Sequence, residues 1–281
     1  MTVQEAYKTL LFQLYEIYDN REAANITNIV IEHITEFSKI DRIINRNYLF
    51  SSSQEKQLNE ITRRLLDFVP IQYITNECWF GGLKLYVDEN VLIPRPETEE
   101  LVEWITSDIN NKAPRILDIG SGSGCIPILL KKKITDSSIT SIDVSDTALK
   151  VALKNAQQQS AAIEFLHINF LEEGNWHNLK KFDVIISNPP YIKLSEKESM
   201  HLNVVGHEPH TALFVEDNDA LIFYKKIAVF AQSHLTPDGK IFVEINESLS
   251  DETMQCFKDA GYKTEIKKDL QNKYRMLKVT S

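Results

Sequence analysis

Asn188-Pro189-Pro190-Tyr191 follows directly on the apolar run "FDVIIS" (182–187), and residues of these types could hold a nitrogen. Each proline fixes its own φ and carries no amide hydrogen, so a strand cannot continue hydrogen-bonding through the pair. The carbonyls of such a turn are left outward as acceptors, and Asn188 adds a side-chain carbonyl beside them. Tyr191 offers a flat face for a planar group. Together the four residues read as a cradle for an NH₂ group; the plainer reading is a rigid strand-ending turn with a capping asparagine.

A second constellation lies upstream, in "ILDIGSGSGCIPILL". A strand, a glycine turn and a helix in this order bring backbone close to a ligand at the carboxyl edge of a sheet. Gly120, Gly122 and Gly124 form G-x-G-x-G, whereas the dinucleotide fingerprint wants its third glycine at 125, where Cys125 stands. That spacing argues against a nicotinamide or flavin, although the glycines could equally serve a tight turn. Asp143 closes the next apolar run, where an acidic side chain can accept both ribose hydroxyls of a nucleoside; capping the following helix is the alternative, a task open to Ser145 or Asp146 as well. Asn169 and Phe170 then offer an amide and a ring where an adenine would lie. If the loop holds S-adenosylmethionine, its sulfonium already carries a good leaving group and no metal is needed. An amide nitrogen must only be aimed, by acceptors that take its N–H groups.

The rest of the composition fits a small-molecule or protein substrate. The chain has 281 residues, 43% hydrophobic and 25% charged, and a formal net charge of -9. Nucleic-acid binding draws on Lys and Arg to neutralise phosphates, so this balance speaks against a polyanion as partner. Cys78, Cys125 and Cys256 have no paired spacing, and the seven histidines show no metal-ligand pattern, so neither a zinc site nor a disulfide framework is expected. No run of eighteen apolar residues and no signal-peptide core is present, which points to a cytoplasmic protein without a membrane span. The basic run Lys131, Lys132 and Lys133 falls where a helix should end and complements its dipole.

The elements that must position these residues come in two textures. Residues 1–70 have no glycine and only Pro70, as expected of a small helical bundle. Ile26, Ile29, Val30, His33, Ile34 and Phe37 recur at three- and four-residue steps, and Ser52 with Glu55 makes a capping-box pattern before Leu58, Ile61, Leu65 and Leu66. After Pro70 the chain turns aromatic and β-branched around Gly81-Gly82, which reads as a hairpin. From about 95 onward, runs at 115–119, 139–143, 163–168, 182–187, 240–245, 263–268 and 274–279 alternate with helical patterns, the mark of a parallel α/β sheet. The last two runs have no helix between them and should pair antiparallel. The boundaries are read as a helical substrate-recruitment domain at 1–78, a hairpin linker at 79–94 and the catalytic domain at 95–281.

The combination of "PIQYIT" (70–75), "VLIPRPETEELVE" (91–103), "DIGSGSGCI" (118–126), "SIDVSDTAL" (141–149), "SNPPYI" (187–192), "EPHTAL" (208–213) and "KDLQNKYR" (268–275) resembles the HemK/PrmC family over nearly the whole chain. These are protein-glutamine N5-methyltransferases acting on the Gly-Gly-Gln motif of peptide-chain release factors. The resemblance implies a seven-stranded Rossmann-like class I methyltransferase domain, S-adenosylmethionine as cofactor without a metal, a release factor as partner and a monomer. It implies that Gly120, Ser121, Gly122, Ser123 and Gly124 cradle the cofactor, that Asp143 binds its ribose, that Phe170 flanks the adenine and that Asn188 also touches the cofactor. Asn188, Pro189, Pro190 and Tyr191 would receive the glutamine amide, and Arg95, Pro96, Glu97 and Thr98 would wall the pocket. "RPETEELVEW" also reads simply as a helix started by proline with acidic residues in its first turn.

The chain departs from the family pattern at several points. Asn246 and Leu249 stand where glycine and glutamine are usual, Val215 and Glu216 where glycines are, and Phe170 where tryptophan is common. Two other functions compete with glutamine methylation: adenine-N6 methylation of nucleic acid, which shares the tetrapeptide, and a catalytically silent module that binds cofactor and partner. Residues 1–70 hold eight Lys or Arg against ten Asp or Glu, no basic face for nucleic acid.

Overall fold

With no glycine or proline to interrupt them, the first residues run as capped helices in the computed structural model, which describes residues 1–281. These are α1 (Val3–Leu14), α2 (Asn20–Thr35), α3 (Lys39–Ile44), α4 (Ser52–Leu66) and α5 (Ile71–Thr75). Thr2, Asp19, Ser38 and Ser51 each accept from the first-turn amides of the helix they precede, satisfying donors that the helix cannot. The capping box of α4 uses Ser51 and Gln54, one residue before the expected Ser52 and Glu55. On α2 the buried face is Ala23, Ile26, Thr27, Val30, Ile31 and Ile34, while Ile29 is 43% exposed. The expected stripe shared Ile26, Val30 and Ile34 but was turned one residue too far, since three- and four-residue steps fit two neighbouring faces of one helix. On α4, Leu58, Ile61 and Leu65 are buried, whereas Leu66 is exposed. Residues 1–76 form one compact unit together with 201–207.

The second unit holds 77–200 and 208–281. It begins with the hairpin β1 (Cys78–Phe80) and β2 (Leu83–Leu85), antiparallel. Then come α6 (Pro96–Asp108), β3 (Arg115–Ile119), α7 (Cys125–Lys133), β4 (Ser138–Asp143), α8 (Asp146–Gln158), β5 (Glu164–His167) and β6 (Phe182–Ser187). After β6 lie β7 (Ile192–Lys193), α9 (Leu202–His207, in the first unit), α10 (His210–Leu213), β8 (Phe214–Val215), α11 (Ile222–His234), β9 (Leu235–Glu244), α12 (Ser250–Asp259), β10 (Lys263–Lys268) and β11 (Tyr274–Thr280).

All seven expected strands join one sheet in the order β10-β11-β9-β6-β3-β4-β5. The five from β9 to β5 are parallel, and β11 runs antiparallel between β9 and β10. Period-two alternation sends Leu117, Ile119, Ile241 and Val243 to one face, under Tyr224, Ile227 and Phe230 of α11. Ile116, Val184, Ile186 and Phe242 go to the other, under Leu101 and Ile105 of α6 and Leu129 of α7. With both faces covered, the central strands read as near-continuous apolar runs.

Candidate active site

A cavity of about 400 Å³ opens at the carboxyl ends of the parallel strands, where ligands bind in open α/β sheets. Gly120, Ser121, Gly122 and Ser123 line it after β3, Asp143 after β4, Phe170 after β5, and Asn188 and Pro190 after β6. Arg95 and Thr98 reach it from the start of α6, but Pro96 and Glu97 do not; the residues before them, Asn90, Val91, Leu92 and Pro94, complete that wall. Pro189 is buried and Tyr191 half-buried behind the lining. Gly124 also lies outside the lining, at the N-terminal cap of α7.

The glycines have separate reasons. Gly120 has φ +89 and a Cβ there would project into open space, so its backbone can approach a ligand. At Gly124, φ is +79 and a Cβ would meet Ala152 Cα at 3.2 Å, so that glycine serves loop-to-helix packing. The Gly120 and Ser121 amides donate to Ile142 O at 2.8 and 3.0 Å, which fixes the loop to β4. Asp143 Oδ2 accepts from the Gly122 amide at 2.9 Å, and Oδ1 from the Ser145 amide at 2.9 Å. Each carboxylate oxygen keeps further acceptor capacity, so Asp143 can braces the loop and still receive ribose hydroxyls. Ser145, the alternative, caps α8 by accepting from the Ala148 amide.

Phe170 is 4% exposed and packs on Trp176 and Phe230, with ring centroids 5.3 and 5.4 Å away. Its ring is a fixed apolar floor at the cavity edge. Asn169 is committed locally: Oδ1 accepts from the Leu171 amide and Nδ2 donates to Glu172, which favours the turn reading for its amide. Open Cβ positions at Gly120 and Gly122, a carboxylate with lone pairs to spare and an apolar floor suit the methionyl, ribose and adenine parts of S-adenosylmethionine.

Several residues that sequence reasoning missed hold this site. Glu244, fully buried at the end of β9, accepts from Thr98 Oγ1 at 2.6 Å and from the Tyr191 hydroxyl at 2.9 Å. Asn188 Nδ2 in turn donates to Thr98 Oγ1 at 3.1 Å. Burial pushes the Glu244 carboxyl up to about 7, against the pull of its two hydrogen bonds. Burial and the Glu244 charge also raise the Tyr191 hydroxyl. The signal was a lone carboxylate inside the apolar run "IFVEI", since a buried acid without partners is costly. Glu208, also buried, accepts from the Ile93 amide at 3.2 Å and from Arg95 at 2.6 Å. Asn155, on α8, donates to Ser123 O at 2.8 Å and exchanges two hydrogen bonds with the Tyr86 backbone. The unusual Asn246 caps the turn that follows Ile245 by accepting from the Ser248 amide, and its Nδ2 donates to Tyr191 O at 3.3 Å. Its φ of -72 needs no glycine. Leu249 packs with Val215 and Ala220.

No group of three His, Cys, Asp or Glu side chains is placed to hold a metal ion, and no helix is long and apolar enough to cross a membrane.

Known proteins resemble this chain along most of its length. Residues 97–278 match the methyltransferase small domain, and residues 5–75 the PrmC N-terminal domain. The release factor glutamine methyltransferase of Flavobacterium psychrophilum is 42% identical over 279 residues, covering 97% of each chain. That of Bacteroides thetaiotaomicron is 35% identical over 265 residues, 94% of this chain and 95% of its own. Among solved structures, a T. thermophilus 16S rRNA N2 G1207 methyltransferase in complex with AdoMet and guanosine superposes with a TM-score of 0.53. It is 15% identical, over 73% of this chain and 49% of its own, and it shows the shared fold. With both domains matched and relatives this similar along almost their full length, the chain belongs to the release factor glutamine methyltransferases, a family of S-adenosylmethionine-dependent enzymes.

Proposed function

We propose that this enzyme methylates the side-chain amide nitrogen (N5) of the glutamine in the Gly-Gly-Gln motif of peptide-chain release factors, acting as a monomer in the cytoplasm on the machinery of translation termination. The observation that carries this reading is Asn188. One N–H of its side-chain amide donates to Thr98, which turns the NH₂ end toward that residue and leaves the carbonyl, the group that recognises an amide N–H, for the cavity. Adenine-N6 methylation is disfavoured by the net charge of -9, because binding a nucleic acid needs clustered cations.

Gly120, Ser121, Gly122 and Ser123 would hold the cofactor's methionyl part, Asp143 its ribose and Phe170 the adenine, with Asn188 at its methyl end. S-adenosylmethionine, when bound, supplies an electrophilic methyl group on a positively charged sulfur. The Asn188 side chain and the carbonyls of the proline turn accept the substrate N–H groups, and Tyr191, anchored by its hydroxyl on Glu244, steadies the turn. Arg95, held by Glu208, closes one wall. Aimed in this way, the nitrogen gains from orientation and preorganised acceptors. Its proton is lost after the new C–N bond forms, so no strong base is required. Residues 1–76 are assigned the recruitment of the protein substrate.

The test is transfer from labelled S-adenosylmethionine to a purified release factor, with mass mapping of the product. One methyl group should appear on the glutamine of Gly-Gly-Gln, and a release factor carrying alanine there should take none. Label on another residue, or on nucleic acid alone, would overturn the assignment.

A further inference from the structure

An asparagine amide can present either end to a ligand, so something must decide which end of Asn188 faces the cavity. The deciding contacts run inward from it. Thr98 Oγ1 lies 2.6 Å from Glu244 Oε2 and 3.1 Å from the Asn188 amide nitrogen, and Thr98 is 2% exposed with Glu244 fully buried. A hydroxyl has one proton. Given to a carboxylate, it leaves Thr98 only lone pairs to offer Asn188. Asn188 must then turn its NH₂ inward and its carbonyl outward.

Building on the reading of the substrate as an amide, we propose that Glu244 is a positioning residue that acts through Thr98 to keep the carbonyl end of Asn188 facing the substrate. When Glu244 takes up a proton, its new O–H donates a hydrogen bond to Thr98 Oγ1, and the Thr98 hydroxyl turns its own O–H toward Asn188. The Asn188 amide then turns over and offers NH₂ to a substrate that also offers NH₂. The same proton disturbs the second contact of Glu244, the Tyr191 hydroxyl at 2.9 Å.

The surroundings of Glu244 place this exchange in an accessible range. Burial raises its carboxyl to about 7, the Thr98 and Tyr191 hydrogen bonds oppose the rise, Glu97 on α6 adds to it and Arg275 on β11 counters it. Tyr224 on α11 faces the same residue and donates its hydroxyl to the Glu244 backbone carbonyl at 3.0 Å. The acid form is therefore the inactive one, and turnover should fall roughly tenfold per pH unit once pH drops below the Glu244 titration.

Three variants of the full chain test the idea, with turnover measured from pH 5.5 to 8 at saturating cofactor and release factor. Glu244→Gln has no proton to gain in this range, so its turnover should be lower than wild type near pH 8 but should lose the acid limb. Thr98→Val keeps the shape and removes the relay; turnover should drop about a hundredfold, the cost of a misaimed group, with the KM for S-adenosylmethionine unchanged. Thr98→Ser restores the hydroxyl and should recover most of the rate. A purely packing role would give the reverse order, with valine tolerated better than serine. The side-chain ¹⁵N amide signals of Asn188, followed by NMR without cofactor or substrate, should move with pH in wild type and stay flat in Glu244→Gln and Thr98→Val. An unchanged acid limb in Glu244→Gln, wild-type turnover in Thr98→Val, or an Asn188 amide indifferent to pH in wild type would each overturn the proposal. If the amide signals couple as expected while wild type fails to methylate glutamine, the substrate assignment falls and the coupling stands.

Discussion

Asp143 shows how one side chain can serve structure and ligand together. Its carboxylate ties the Gly122 amide to the start of α8 and keeps acceptor capacity for a ribose. Asp143→Ala should therefore weaken S-adenosylmethionine binding by about 1.5–3 kcal/mol, the range for hydrogen bonds to a charged group, with loosening of the loop adding to the loss. Calorimetry giving wild-type affinity would remove Asp143 from the site. Residues on turns were the ones the sequence made legible: Gly120, Gly122, Asp143 and Asn188 all line the cavity, whereas Gly124, read with them, packs on α8 instead. Those that hold them were not legible. Glu244, Glu208 and Asn155 act on partners 146, 115 and 69 residues away, and no local spacing records a contact formed only when distant strands and helices meet. Asn246 was legible only as a departure from a family pattern. Its meaning, a brace on the Tyr191 carbonyl, depends on that same tertiary contact.

At the scale of elements, β3 and β4 are coupled by a buried chain of polar groups. Ser141 on β4 donates to Asp118 Oδ2 on β3 at 2.6 Å, and Ser121 of the glycine loop lies 2.6 Å from Ser141. Burial pushes the Asp118 carboxyl up to about 8, opposed by the Ser141 hydrogen bond and reinforced by the nearby Asp143 charge. A carboxyl raised on folding stabilises the protein most below its unfolded value near 4, and that contribution is lost as pH rises through about 8. The stability of Asp118→Asn relative to wild type should thus improve by a few kcal/mol between pH 4 and pH 9. Denaturant unfolding at several pH values reads this directly, and parallel pH profiles for the two proteins would contradict it. The strands themselves were legible because both sheet faces are covered and each core strand is a short apolar run. The place of β11 was legible only in part. Its antiparallel pairing with β10 follows from the short connection, but its insertion beside β9 depends on which sheet edge is free, a property of the whole sheet. The start of α4 was displaced by one residue because Ser51, Ser52 and Ser53 all suit a cap.

At the scale of the whole molecule, the chain joins a helical unit and an α/β unit that carries all of the residues lining the cavity. If residues 1–76 recruit the release factor, a chain beginning at Glu77 should bind S-adenosylmethionine with near wild-type affinity and methylate intact release factor with a strongly raised KM, while a short Gly-Gly-Gln peptide reacts alike with both chains. Equal KM values for intact release factor would remove the recruitment role. The central claim, that the turn after β6 is an amide cradle, is tested most directly by the turnover of Asn188→Ala at saturating S-adenosylmethionine and release factor. Asn188 is half-buried on the cavity wall, so its truncation should leave the fold and cofactor affinity close to wild type. Turnover should fall on the order of a hundredfold, because the reacting nitrogen is no longer aimed. Wild-type turnover in this variant would contradict the account and return Asn188-Pro189-Pro190-Tyr191 to the role of a structural turn.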